Sequence, residues 1–285
     1  MLMNDLWERC EREHYRQEES SWNRQARALY KRYIGPAIGR SKVVAVDYAA
    51  VSALHVSFRK RATQGNRVLA VLSKLLALAE RWGLRPTGSN PCQHVKRYKE
   101  AHRRRYATAA EIAAIGESMQ RRAETHPEAV AFLQLMIFTG ARPTELLRAP
   151  LSILERLERH GQACGVLRIA QGKTGARDVF LPPQAMATLD LLPPKRNLLV
   201  GLAGVPRRMW ASIQQEVGCP DLWVRDLRRT FASVALSSGT PLSVVGELLG
   251  HKSAQTTKIY GRLIEDRAHE ASAATAGLLA GMLRS

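Results

Sequence analysis

Cysteine is scarce and scattered: four residues in 285 (Cys10, Cys92, Cys164, Cys219), none in a Cys-x-x-Cys pair. That pattern argues against a zinc site or a disulfide framework and fits a reducing, cytoplasmic setting. No stretch approaches the roughly 18 unbroken apolar residues of a membrane span. The opening MLMNDLWERCEREHYR is charged throughout and lacks the apolar core of a secretion signal. Neither an internal repeat nor a low-complexity block interrupts the chain. With 45% apolar and 24% charged residues, the composition is that of an ordinary globular protein of one large or two modest domains.

Acid is also in short supply. Asp and Glu total 25 against 43 Lys and Arg, a formal net charge of +18. Residues 1–105 hold 22 basic and 9 acidic groups, so most of the excess sits in the first third of the chain. Positive charge concentrated in this way points to a polyanionic partner, nucleic acid before others.

From Trp22 to Gly83 the pattern is a small helical module. RVLAVLSKLLALAERWG sets Val68, Leu69, Val71, Leu72, Leu75, Leu76, Ala79 and Trp82 on one broad stripe, with Gly83 placed to cap the helix. Upstream, Trp22, Leu29, Tyr33 and Ile34 read as core, Pro36 as the helix end, and Arg24, Arg27, Lys31 and Arg32 as phosphate contacts. Turn formers at 86–91 then break the module. KRYKEAHRRR at 96–105 follows, carrying Lys96, Arg97, Lys99, Arg103, Arg104 and Arg105. Such a linker either lies along a DNA backbone or is an exposed, self-repelling tether.

Thr108 and Glu111 have the spacing of a helix capping box and open a mixed second domain. EAVAFLQLMIFTG is an apolar helix stopped by Gly140. VLRIA and DVFLP, joined by QGKTGAR, form a strand pair closed by Pro182 and Pro183, and helical patterns resume after Pro193 and Pro194. The fold class is therefore mainly α with a small β-hairpin or sheet (α+β), organised as 1–95, a linker at 96–105, and 106–285.

Four islands in the second domain carry chemistry: TGARPTELL, GKTGARDVFLP, RDLRRTFAS and LLGHKSAQTTKIY. In the first, Arg142 follows a helix stop and Glu145 lies one turn on, placed to orient its guanidinium. In the second, Lys173 tops the strand pair. Its Gly-Lys-Thr resembles the tail of a phosphate-binding loop, but Leu167 stands where that loop needs glycine, so a nucleotide triphosphate site is disfavoured. In the third, Arg225 and Arg228 share a helix face, with Leu227, Phe231 and Val234 as anchors on the opposite side. In the fourth, His251 follows Gly250 at a helix junction, and Tyr260 comes nine residues later.

In this order the islands resemble the catalytic domain of the tyrosine recombinases, the phage-integrase family. QGNRVLAVLSKLLALAERWGL and NPCQHVKRYKE resemble that family's helical core-binding domain, which adds Arg67 to the DNA-contact candidates. The resemblance spans roughly residues 20–262. It implies a site-specific recombinase or integrase that clamps double-stranded DNA as a dimer to tetramer and uses no cofactor. It implies no metal either, since cationic side chains supply the charge neutralisation. Tyr260 would be the nucleophile, Arg142 and Arg228 the clamp on nonbridging phosphate oxygens, His251 a further donor, Lys173 the general acid and Glu145 a support for Arg142.

One position departs from the family pattern. Three residues before Arg228 the family most often has histidine, sometimes lysine, and this chain has Arg225. A guanidinium has no acceptor and keeps its charge, so Arg225 can hold a phosphate oxygen but cannot take a proton from tyrosine. A DNA-binding protein that has lost cleavage, or a type IB topoisomerase activity, is the alternative. The sequence before residue 20 is too short for the arm-binding domain of some integrases. The tail at 270–285 is expected to dock either on a neighbouring protomer or on its own domain.

Overall fold

A computed structural model of the chain describes residues 1–15, 20–101, 103–170 and 175–250, with the single positions 272, 275, 276 and 282. Two compact units divide it, 1–102 and 103–285. Each has its own apolar core.

The first unit begins with a helix that sequence reading overlooked. α1 (Met3–Cys10) buries Met3, Leu6, Trp7 and Cys10. Their i, i+3, i+4, i+7 spacing is an amphipathic stripe hidden among charges, so the unit's core starts well before Trp22. α2 (Ser21–Leu29) is capped by Ser20, whose side chain accepts from the Asn23 N–H at 3.1 Å. It runs through a π-helical turn at Tyr30–Ile34 into α3 (Gly35–Ile38). Pro36 therefore does not end the helix. The Gly35 N–H reaches back five residues to the Tyr30 carbonyl, so the wider turn has shifted the pairing just where Pro36 brings no donor.

α4 (Tyr48–Val56) is capped by Asp47, and α5 (Ala62–Arg81) is the unit's central helix. The α5 stripe is buried as its spacing predicts, from Val68 through Ala79. Each fully buried aliphatic side chain there contributes about 1.5–3 kcal/mol of gross burial. Gly83 takes φ +69° and lets the Leu84 N–H reach the Ala79 carbonyl at 2.9 Å, which closes the helix end. Trp7 stacks on Tyr30 at 4.2 Å between ring centroids, and the Tyr30 hydroxyl lies 3.0 Å from the Met3 carbonyl. Leu29 and Ile34 are core; Trp22 is 39% exposed and is not.

The second unit opens with α6 (Ala109–Gln120). Thr108 and Glu111 make the capping box reciprocally, at 3.2 Å and 2.8 Å. α7 (Pro127–Thr139) is apolar around most of its circumference, with Phe132, Leu133, Leu135 and Met136 all fully buried. After Gly140 comes the short α8 (Pro143–Arg148). A three-stranded antiparallel sheet follows in the order β1 (Leu154–Arg159), β2 (Gln162–Ile169), β3 (Arg177–Leu181), with Leu154 opposite Leu167 and Ile169 opposite Arg177.

The β2–β3 pair matches the sequence expectation, whereas β1 escaped it. LERLER repeats every three residues, closer to a helical period than to the two of a strand. His160 and Gly161 at its turn both have positive φ, as a two-residue hairpin connection requires. α9 (Pro183–Asp190), α10 (Arg207–Val217), α11 (Val224–Ser237) and α12 (Leu242–Leu249) complete the described elements.

α7 packs against α9 and α11 in the middle of the unit. Along α11, Leu227 is buried but Val234 is 61% exposed, which corrects its assignment as an anchor. The inner stripe has moved by then to Ala232 and Leu236, which form a small separate core with Val245 and Leu249 of α12.

Candidate active site

The site is built where three helix ends meet. α7 stops at Gly140, which takes φ +59°. A Cβ there would lie 2.5 Å from Cδ1 of Phe231, so glycine meets both the left-handed backbone and the close approach of α11. Arg142 then precedes α8, whose first residue is Pro143. Glu145 reaches back in the manner of a capping box. Its Oε2 accepts from the Arg142 backbone N–H at 2.7 Å and its Oε1 from Arg142 Nη1 at 2.6 Å. The carboxylate is only 9% exposed, so this one residue fixes both the backbone and the guanidinium of Arg142.

From α11, Arg228 donates through Nη1 to the Gly140 carbonyl at 2.8 Å and through Nη2 to the Leu249 carbonyl. Arg142 Nη2 donates to the Gly250 carbonyl at 3.1 Å. α12 ends at these carbonyls, with Gly250 at φ +60°. The negative end of a helix dipole draws cations to its last carbonyls, and two guanidiniums from separate elements gather there.

A third guanidinium went unnoticed in the sequence. Arg177, at the start of β3, donates through Nη2 to the Leu248 carbonyl at 3.4 Å and lies 3.6 Å from Glu145 Oε2. Its side chain is 8% exposed. Burial lowers its pKa from the usual arginine value, while Glu145 opposes that shift and Arg142 adds to it. It belonged to the quoted island GKTGARDVFLP, but nothing local in that string signals that its side chain is buried against a helix some seventy residues on.

Arg142, Glu145 and Arg228 are thus brought together as the sequence pattern suggested. Arg225 is exposed, with no ion pair or side-chain hydrogen bond among the described residues. Lys173, His251 and Tyr260 lie outside the described residues, as does nearly all of the tail at 270–285. Among the described residues, no group of three or more His, Cys, Asp or Glu side chains is placed to hold a metal ion.

The basic candidates divide into two groups. Arg24, Lys31, Arg32, Arg67, Lys96, Arg97, Lys99 and Arg104 are exposed. Arg27 pairs with Glu11 at 3.0 Å. Arg103 binds the fully buried Asp226 at 2.7 Å and lies over the Trp223 ring at 4.2 Å. Arg105 bridges Asp221 at 2.8 Å and Glu111 at 3.0 Å. Arg103 and Arg105 are therefore fasteners of the second unit, a correction to their reading as part of a free basic tether. Sequence could not show this, because Asp221 and Asp226 lie more than a hundred residues away.

Residues 203–267 match the phage integrase family. A putative prophage phiRv2 integrase of Mycobacterium tuberculosis is 26% identical over 210 residues, covering 65% of this chain and 55% of that protein. Tyrosine recombinase XerC of Pseudomonas fluorescens is 31% identical over 146 residues, covering 47% of each. The chain therefore spans about half the length of the curated relatives it matches. Among solved structures, a lambda integrase dimer bound to a COC′ core site superposes with a TM-score of 0.72 at 18% identity, covering 90% of this chain and 97% of that one. That likeness is one of fold.

Proposed function

We propose that this chain, which belongs to the tyrosine recombinase (phage integrase) family, cuts DNA strands at a defined site and rejoins them to new partners through a 3′-phosphotyrosyl intermediate. The observation that carries the reading is the convergence of Arg142 and Arg228, with Glu145 behind Arg142, on the carbonyls immediately before His251. A phosphodiester oxygen is the ligand that two fixed guanidiniums suit best, since each presents a planar fork of donors.

Chemically, the Tyr260 hydroxyl gives up its proton to solvent as its oxygen attacks phosphorus, and the bond to the 5′-oxygen breaks. Lys173 gives its proton to that leaving oxygen, and the tyrosine stays joined to the 3′ end. One phosphoester is exchanged for another of similar energy, so a 5′-hydroxyl from a second strand can reverse the step on a new partner. Negative charge develops on the nonbridging oxygens, where Arg142, Arg228 and His251 stabilise it; loss of one such donor commonly costs about a hundredfold or more in rate.

The exposed basic residues of the first unit supply phosphate contacts, which set affinity and its steep salt dependence. The working assembly in this reading is a dimer to tetramer on double-stranded DNA in the cytoplasm. Among the described residues no helix is long and apolar enough to cross a membrane.

Arg225 favours a second reading, a DNA-binding relative that no longer cleaves, because it leaves the tyrosine proton without that acceptor. A library of duplexes carrying a nick near each candidate cleavage point separates the two. The recombinase forms a covalent protein–DNA adduct that Tyr260→Phe abolishes with DNA binding intact. An inert binder shifts the same DNA and forms no adduct, which would overturn the proposal.

A further inference from the structure

The structure assigns to Arg177 the part of a positioning residue: it shares the Glu145 carboxylate with Arg142, so that the charge of Arg142 is not cancelled by the carboxylate that orients it, and it holds the backbone at Leu248–Gly250 on which the arginine cradle closes. The inference rests on the strand-transfer reading above and deepens it.

Three observations carry it. First, Arg177 is buried at a cost that packing alone does not explain. Its side chain is 8% exposed, and Nε and Nη1 have no hydrogen-bond partner among the described residues. Arg85 in the first unit shows what a structural arginine of comparable burial looks like. Its Nε meets Ser89 Oγ at 2.9 Å, Nη1 the Val43 carbonyl at 3.2 Å and Nη2 the Ser89 carbonyl at 2.7 Å. Unpaired buried donors lower stability, so Arg177 is not placed to maximise it.

Second, the charges are arranged in series. Glu145 stands between Arg142 and Arg177, with one oxygen on the first guanidinium and the other toward the second. With both arginines present the trio carries one net positive charge. Without Arg177 the same carboxylate cancels Arg142 alone, and the field at the phosphate position falls where preorganised charge matters most.

Third, the fit under Gly250 is close. A Cβ on Gly250 would lie 2.3 Å from Arg177 Nη1 and 2.6 Å from its Cδ. Arg177 therefore lies directly beneath the residue that precedes His251 in the sequence, and its Nη2 bond to Leu248 makes it the third guanidinium on three consecutive carbonyls.

The test compares Arg177→Met, Arg177→Lys and Glu145→Gln in the full chain, on nicked duplex DNA that traps the covalent adduct. Adduct rate at saturating DNA, DNA affinity and melting temperature are all recorded. Arg177→Met keeps length and removes charge. It should slow adduct formation by about tenfold or more with DNA affinity within about threefold of wild type, the mark of an interaction felt at the chemical step. Its melting temperature should stay level or rise, since an apolar chain replaces an incompletely paired ion.

Arg177→Lys, which restores the charge, should recover most of the rate. In the double variant with Glu145→Gln the two losses should fall well short of multiplying, because the carboxylate that Arg177 offsets is gone. An unchanged rate in Arg177→Met overturns the inference. So does unfolding of that variant, a rate loss that tracks melting and that lysine does not recover, or fully multiplicative losses. If wild type itself forms no adduct, the strand-transfer reading fails and this inference with it; a wild-type adduct equalled by Arg177→Met refutes this inference alone.

Discussion

Replacing Gly250 by alanine puts the arrangement at the end of α12 under direct strain. Two costs add. The backbone there has φ +60°, a conformation that costs a residue bearing a Cβ about 1 kcal/mol. The added methyl also falls 2.3 Å from Arg177 Nη1 and 2.6 Å from Cδ, so the whole side chain must move, not its tip alone. A charged group pushed off Glu145 while still enclosed loses part of the about 3–5 kcal/mol that breaking a buried pair costs.

A total of about 2–4 kcal/mol follows, or about 5–15 °C in the melting of a unit this size. Gly218→Ala is the matched control within the same unit: φ is +74° and a Cβ there would meet nothing within 4 Å, so only the backbone cost remains. Denaturant unfolding of both variants, with the adduct rate measured alongside, gives the comparison. If Gly250→Ala destabilises by no more than Gly218→Ala, the steric reasoning is wrong and Arg177 does not occupy the space beneath the turn.

Two further outcomes follow from groups described above. The hydrogen bonds from Arg105 hold the Glu111 carboxyl down to about 2, below the ordinary value of 4.5. A depressed carboxyl contributes stability that is complete above about pH 4.5 and lost as pH falls toward about 2. The melting advantage of wild type over Arg105→Met should therefore shrink across that window; a difference constant from pH 6 to pH 2.5 would contradict it. Arg225→His supplies the proton acceptor that arginine lacks. Its adduct rate should exceed wild type by about tenfold or more once pH passes about 6.5, where imidazole is neutral. A variant no faster at any pH would show that the tyrosine proton leaves by another route.

What could be read from the sequence was whatever is written locally. The α5 stripe, the Thr108–Glu111 box, the glycine stop at Gly140 and the β2–β3 pair all depend on residues a few positions apart, and all stand in the structure. Arg142 and Glu145 were legible for the same reason, being one helical turn apart. α1 was missed because its four apolar residues are outnumbered by charges, and β1 because its apolar spacing is three. Arg103, Arg105 and Arg177 are a different kind of miss. Each is a cation whose meaning lies in an acid or carbonyl brought close only by folding, so the sequence gives their charge without their partners. An arginine on the surface and one sealed under a helix end are spelled alike.

The little core shared by α11 and α12 has a larger consequence than its size suggests. Among the described residues, four buried side chains (Ala232, Leu236, Val245 and Leu249) pack a helix of eight residues, and the last carbonyls of that helix organise the guanidiniums. The cluster around α7 is separate. Val245 is fully buried in this cluster, so trimming it by Val245→Ala loosens the packing under the helix whose last carbonyls hold the guanidiniums while leaving the α7 core untouched.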